Sequence, residues 1–192
     1  MIIILEGAHG SGKTTLAVRL GMVTRWPVYR PFRAVGIHSD SERESAAAFL
    51  SLNTWREELF EADLLSVLWP RGGIILDRSM PSGLAYDSKL SPHDRLAILR
   101  LWASRMKAAR NAVIILVETA AETAKQRARG HAIPISEEAD RLRELCATSG
   151  LPMITLDGNR DPDTVYKRAI SGISEHVRRN PEAAGVEWSM LR

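Results

Sequence analysis

Short runs of apolar residues recur along the chain, and stretches with helical spacing of apolar positions lie between them. The runs predict five buried strands, at residues 2–5, 26–29, 74–76, 112–117 and 153–156. The other stretches predict helices over 15–20, from about 39, and over 54–69, 92–110, 122–129, 136–148 and 161–178. Because short apolar strands alternate with helices, we expect an α/β fold with a doubly wound, five-stranded parallel sheet and helices on both faces.

Length and composition narrow the class of protein. The 192 residues predict a single domain (1–192) with 45% apolar and 26% charged residues, and a tail over 180–192 that is loose or packed through Trp188. A net charge of +3 suits a binder of small anions as well as a nucleic-acid binder. Cys146 is the single cysteine, which excludes an intrachain disulfide. Neither a signal peptide nor a membrane span is recognisable, so we expect a cytoplasmic protein.

The segment after the first strand carries the clearest chemical pattern. It reads G-x-x-x-x-G-K-T from Gly7 to Thr14 and leads into a predicted helix, the context of a phosphate-binding loop. Glycines allow the backbone N–H groups to wrap an oxyanion at a helix N-terminus, Lys13 reaches the β- and γ-phosphates, and Thr14 can ligate Mg²⁺. We therefore predict a P-loop NTPase-type fold that uses ATP and Mg²⁺. The predicted cofactor-binding residues are Gly7, His9, Gly10, Ser11, Gly12, Lys13, Thr14 and Thr15.

Further polar residues follow the ends of other strands, where ligands bind in open parallel sheets. Asp77 can hold Mg²⁺, and Arg78 can clamp phosphate oxygens, although an incidental ion pair in a surface turn would give the same pattern. Arg127 and Arg129 precede a Gly- and Pro-containing segment, which suits a short lid over about 127–136, or else a solvated helix face.

Two further sets of residues are candidates for holding an acceptor. Arg30 and Arg33 follow the second strand and either bind a phosphate or carry surface charge. Phe60 and Tyr86 either stack on a base or belong to the core. The five histidines lack the spacing of zinc ligands.

Several segments together resemble the thymidylate kinases over nearly the whole chain. Residues 5–15 resemble their P-loop, and 77–86 resemble their D-R-x-x-x-S-G-x-A-aromatic segment. Residues 59–63 are similar to the helix with their base-stacking Phe, and 156–165 to their final strand and helix. Many NTPases share the P-loop pattern, so the 77–86 segment is what narrows the resemblance to the thymidylate kinases.

The resemblance implies a role for each matching residue. Lys13 and Thr14 would bind ATP and Mg²⁺, Asp77 would support the metal, and Arg78 would hold the acceptor phosphate. Phe60 would stack on the base; Ser82, Gly83 and Tyr86 would line the nucleoside pocket; Arg127 and Arg129 would belong to the lid. The resemblance also implies a small nucleotide as acceptor and a homodimer.

Three positions depart from the thymidylate kinase pattern. His9 replaces an Asp that contacts the sugar, Leu64 replaces an Arg that reads thymine, and Arg30-Pro31 replaces Arg-Glu-Pro. All three positions belong to the part of the site that would bind the acceptor. The resemblance therefore supports phosphoryl transfer from ATP better than it supports thymidylate as the acceptor.

Four hypotheses follow for the function. The first is a kinase of a pyrimidine deoxynucleoside monophosphate with either an ordinary or a modified base; the second is a deoxynucleoside kinase. Arg30 stands where deoxynucleoside kinases carry a Glu base, which favours the monophosphate kinase. By contrast, Asp77-Arg78-Ser79 is close to the E-R-S sequence of the deoxynucleoside kinases. The third is a kinase acting on a hydroxylated base in DNA. The fourth is a non-catalytic nucleotide-binding module, against which Asp77, Arg78 and the lid arginines argue jointly.

Overall fold

The computed structural model of the chain describes residues 1–29, 72–86, 90–108, 112–128 and 135–180. In these ranges the strands are β1 (Ile2–Glu6), β2 (Val28–Tyr29), β3 (Ile74–Asp77), β4 (Ala112–Glu118) and β5 (Met153–Asp157). The helices are α1 (Lys13–Thr24), α2 (Met80–Tyr86), α3 (Pro92–Ala108), α4 (Ala121–Ala128), α5 (Ile135–Thr148) and α6 (Pro162–Arg179). All five predicted strands are confirmed, although β2 is shorter than expected.

The strands form one parallel sheet in the order β2-β3-β1-β4-β5. The central strand β1 pairs with β3 on one side, where Leu5 is opposite Asp77, and with β4 on the other, where Glu6 is opposite Leu116. The chain therefore reverses its direction of winding at β1. The carboxyl ends of β1, β3 and β4 lie side by side, which is where a doubly wound sheet forms its binding crevice.

Each face of the sheet carries its own hydrophobic core. One core contains Ile2 and Ile4 of β1 with residues of α2, α3 and α5, among them Leu84, Trp102 and Leu142. The other contains Ile3 and Leu5 with residues of α1 and α6, among them Leu20 and Ala169. Successive β1 side chains thus enter opposite cores, which explains why Ile2 to Leu5 are all apolar. The predicted α/β fold with helices on both faces is confirmed.

The helices differ from the predictions at several points. α1 begins at Lys13 rather than Thr15, and α3 is described only to Ala108. Helix α2 was not predicted, because its Pro81 and Gly83 are typical of loops. Proline is nevertheless compatible with the first turn of a helix, and Leu84 anchors α2 because it is fully buried in the core.

Some predictions fall outside the described residues. These are the helices at 39 and 54–69, the middle of the predicted lid, and the tail beyond 180. Within the described ranges, no helix combines the length and apolar character needed to cross a membrane.

Candidate nucleotide-binding site

The loop between β1 and α1 carries a buried cation next to the uncapped start of a helix. Lys13 is buried, and its Nζ donates a hydrogen bond to the carbonyl oxygen of Ala8 at 3.1 Å, so the ammonium group folds back over the loop. Gly12 caps α1, and no side chain of the described residues caps that end of the helix. The buried Ser11 hydroxyl likewise has no hydrogen-bond partner within the described ranges. The Lys13 ammonium group, the Ser11 hydroxyl and the backbone N–H groups at the start of α1 are hydrogen-bond donors that fit a polyphosphate.

Gly10 fixes where helix α4 lies relative to this loop. Its φ of +76° is in the left-handed region, and a Cβ at this position would lie 2.2 Å from the carbonyl oxygen of Ala124. The α4 backbone therefore packs directly on the loop. This contact joins the predicted phosphate site to the helix that leads into the predicted lid.

Two oxygen donors lie at positions that suit Mg²⁺. Thr14 is exposed in the first turn of α1, and Asp77 is the last residue of β3, the strand next to β1. Within the described ranges, no group of three or more His, Cys, Asp or Glu residues could hold a metal ion. A hydroxyl and one carboxylate fit Mg²⁺, because this ion commonly takes its other ligands from phosphates and water. They do not fit a cation that needs a complete cage of protein ligands.

Arg78 follows β3 in an unusual backbone conformation. Its φ is +78°, which is uncommon for a residue with a Cβ, and its backbone N–H donates to Leu5 O at 3.0 Å. The side chain is buried, and Nη1 donates to the Ser82 hydroxyl at 2.8 Å. Such strained positions concentrate at functional sites and persist only where neighbouring structure holds them.

Glu6 is a residue that our sequence reasoning did not select. It ends β1, is fully buried, and accepts hydrogen bonds from Ser79 N at 2.8 Å and from the Ser82 hydroxyl. Burial raises the pKa of Glu6 to about 7, although these hydrogen bonds and the charges of Arg78 and Lys13 oppose the rise. The available signal was a lone carboxylate directly after four apolar residues of a central strand.

The segments after β4 and β5 are hydrogen-bonded to each other at the same edge of the sheet. Ala120 N donates to Asn159 Oδ1 at 2.9 Å, and Gly158 N donates to Glu118 O at 2.6 Å. Arg127, exposed on α4, donates from Nη1 to Gly158 O at 2.8 Å. The structure thus places Arg127 beside the β5 end of the edge.

The predicted site residues are only partly described. The P-loop residues, Asp77 and Arg78 gather at the ends of β1 and β3, and Ser82 and Gly83 belong to α2 directly beneath that edge. Tyr86 is placed only as the last residue of α2. The remaining predicted residues lie outside the described ranges; they are Arg30, Arg33, Phe60 and Arg129. The ligand roles assigned to all these residues stay predictions.

Comparison with known proteins gives relatives over most of the chain. Two thymidylate kinases of Xanthomonas oryzae pv. oryzae, from strains PXO99A and MAFF 311018, are each 31% identical to it over 195 residues, covering 88% of this chain and 81% of the relative. No family model matches the chain.

Solved structures share the fold at lower identity. The YorR protein from Bacillus subtilis, in complex with phosphorylated GDP, has a TM-score of 0.63 at 20% identity and covers 94% of this chain and 99% of its own. A deoxyadenosine kinase from M. mycoides, with products dCMP and dCDP bound, has a TM-score of 0.60 at 14% identity and covers 91% and 100%. At these identities the likeness is one of fold.

Proposed function

The chain belongs to the thymidylate kinase family, and on that premise we propose that it transfers the γ-phosphoryl group of ATP to a pyrimidine deoxynucleoside monophosphate. It is a kinase of nucleotides or nucleosides. ATP as the donor, Mg²⁺ as the metal and the pyrimidine acceptor are the parts of the proposal that need testing.

The observation that carries the proposal is a pair of buried cations, one at the start of α1 and the other directly after β3. Lys13 follows β1 and Arg78 follows β3, and the buried Glu6 carboxylate interacts electrostatically with both. Transfer between two phosphates collects negative charge at one point, so it needs cations held on both sides of the transferred group. In this proposal Lys13 binds the donor phosphates and Arg78 binds the acceptor phosphate.

The chain's own residues then act by binding and orienting. Lys13 would exchange its bond to Ala8 O for the β- and γ-phosphate oxygens, while the amides at the start of α1 hold the rest of the polyphosphate. Thr14 and Asp77 would hold Mg²⁺, which when bound neutralises charge on the transferred group. A phosphate acceptor is already ionised near neutral pH, so positioning replaces a general base.

The identity of the acceptor rests on the sequence and the family. Arg30 stands where a nucleoside kinase would carry its carboxylate base, which supports a monophosphate acceptor. His9 and Leu64 replace residues that read the sugar and thymine in thymidylate kinases. We therefore include modified pyrimidine nucleotides among the candidate acceptors, and we propose that residues 1–192 act as one domain.

An ATP-consumption assay with Mg²⁺ tests the proposal against a panel of acceptors. The panel contains dTMP, dUMP, dCMP, 5-hydroxymethyl-dUMP, the matching nucleosides, and DNA with the hydroxylated base. Turnover of a monophosphate supports the proposal, whereas turnover of nucleosides or DNA alone would overturn the acceptor assignment.

Matched lysine variants identify the donor site in the same assay. Lys13→Ala should abolish turnover, because the charge over the P-loop is lost. Lys167→Ala, which removes an exposed lysine of α6, should leave turnover unchanged. Retained turnover in Lys13→Ala would contradict the donor assignment.

A further inference from the structure

Glu6 is connected to Arg78 by a hydrogen-bond chain whose direction is fixed by chemistry. The Arg78 guanidinium can only donate, so at the 2.8 Å contact the Ser82 hydroxyl oxygen accepts from it. The single hydroxyl proton of Ser82 is then directed at Glu6 Oε2, 2.5 Å away. The order is therefore Arg78 to Ser82 to Glu6. A side chain that can only donate hydrogen bonds, or that has no polar atom, could not replace Ser82 in this hydrogen-bond chain.

Glu6 also holds the backbone that carries Arg78. Its Oε1 accepts from the N–H of Ser79, while the preceding N–H, that of Arg78, is held by Leu5 O. Both amide groups that follow β3 are thus bonded to β1. These two bonds stabilise the turn in which Arg78 has its φ of +78°.

We propose that Glu6 is a positioning residue for phosphoryl transfer: through Ser82 and Ser79 it fixes the Arg78 guanidinium where the acceptor phosphate binds. The inference rests on the proposed role of Arg78 and goes beyond it. Glu6 is the last residue of β1 and is fully buried. It therefore acts through Arg78 and not by touching the substrate. The Glu6 carboxylate and the Arg78 guanidinium also attract each other electrostatically.

Glu6→Gln and Ser82→Ala test the chain at its two ends. Glu6→Gln keeps the size and one oxygen for Ser79 N, but its amide can only donate toward Ser82. Ser82→Ala removes the link and leaves the Glu6 charge in place. With dTMP, or with the panel monophosphate that the wild type turns over fastest, each variant should raise the KM for the acceptor about tenfold or more, and the KM for ATP should stay within about threefold of the wild type.

The double variant separates positioning from a general loss of structure. If Glu6 acts through Ser82, Glu6→Gln in the Ser82→Ala background should add little to the acceptor defect. Additive effects would overturn the proposal, as would an unchanged acceptor KM in either single variant or equal losses for acceptor and ATP. If Glu6→Gln does not fold, Ser82→Ala alone decides by the same KM comparison.

The wild-type protein serves as the reference for the proposed function itself. Absence of turnover with every monophosphate in the wild type would refute the proposed function, and the role of Glu6 would fall with it. Turnover by the wild type with unaffected variants would refute the role of Glu6 alone. Arg78→Ala, measured beside them, should show the full acceptor defect that the positioning variants approach.

Discussion

Replacing Glu6 with glutamine should remove a pH-dependent penalty on folding. Glu6 is fully buried at the end of the central strand, and desolvation raises its pKa from 4.5 to about 7. The groups that face it are the Arg78 and Lys13 cations, whose attraction opposes the rise, and the Cys146 thiol of α5, whose own pKa is raised mainly by burial. A glutamine in the same place carries no charge at any of the pH values concerned.

The sign and the size follow from linkage. Because the folded protein holds the Glu6 proton more tightly than the unfolded chain, the charge-related penalty is absent below the unfolded pKa of 4.5 and complete above about 7. At about 1.4 kcal/mol per pH unit, the difference between the two pKa values corresponds to about 3 kcal/mol. Between pH 5 and pH 8 the wild type should therefore lose about 2 to 3 kcal/mol of stability relative to Glu6→Gln.

Urea unfolding followed by tryptophan fluorescence measures this difference, since Trp26 and Trp102 are buried in the two cores. The free energy of unfolding is determined for the wild type and for Glu6→Gln at each pH from 5 to 8. Glu144→Gln, on the exposed side of α5, is the matched control and should follow the wild type at every pH. Parallel curves for the wild type and Glu6→Gln would refute the assignment of a raised pKa to Glu6.

Two further pairs of substitutions test the local structure through the free energy of unfolding. Gly10 and Gly12 both have a left-handed φ, but only at Gly10 would an added Cβ contact Ala124 O. Gly10→Ala should therefore lower the free energy of unfolding by about 1 to 3 kcal/mol more than Gly12→Ala. Equal losses would contradict this packing. Asp161→Ala should lose about 1 kcal/mol, because Asp161 caps α6 through Thr164 N, and Asp161→Asn should lose only a few tenths. A loss as large in the asparagine variant would contradict the cap.

The three central strands of the sheet could be predicted from the sequence because β1, β3 and β4 are buried on both faces. Ile2 to Leu5 enter the two cores alternately, so the strand reads as one apolar run between a chain end and a glycine loop. The loop between β1 and α1 was equally predictable, since its glycines and Lys13 have the fixed spacing of the P-loop pattern; its role in binding phosphate stays a prediction. In both cases the residue types that the local pattern favours are also the ones that fit the tertiary environment.

The environment of Arg78 could not be predicted in the same way. The place of Arg78 directly after a strand was visible in the sequence. Its left-handed backbone, however, depends on hydrogen bonds that Arg78 N and Ser79 N donate to Leu5 and Glu6, more than 70 residues earlier in the chain. Helix α2 was missed because Pro81 and Gly83 disfavour helices locally, whereas burial of Leu84 outweighs that preference. Long-range contacts decide such positions.

The most direct test of the account follows the phosphoryl group itself. ATP labelled in its γ-phosphate is incubated with Mg²⁺, dTMP and the wild-type protein, with Lys13→Ala in parallel, and the products are separated by charge. The panel monophosphate that gives the fastest turnover is run beside dTMP. We predict that the label moves into a nucleoside diphosphate with the wild type and stays in ATP with Lys13→Ala. Label that appears only as inorganic phosphate, or a labelled diphosphate formed equally by Lys13→Ala, would contradict the account.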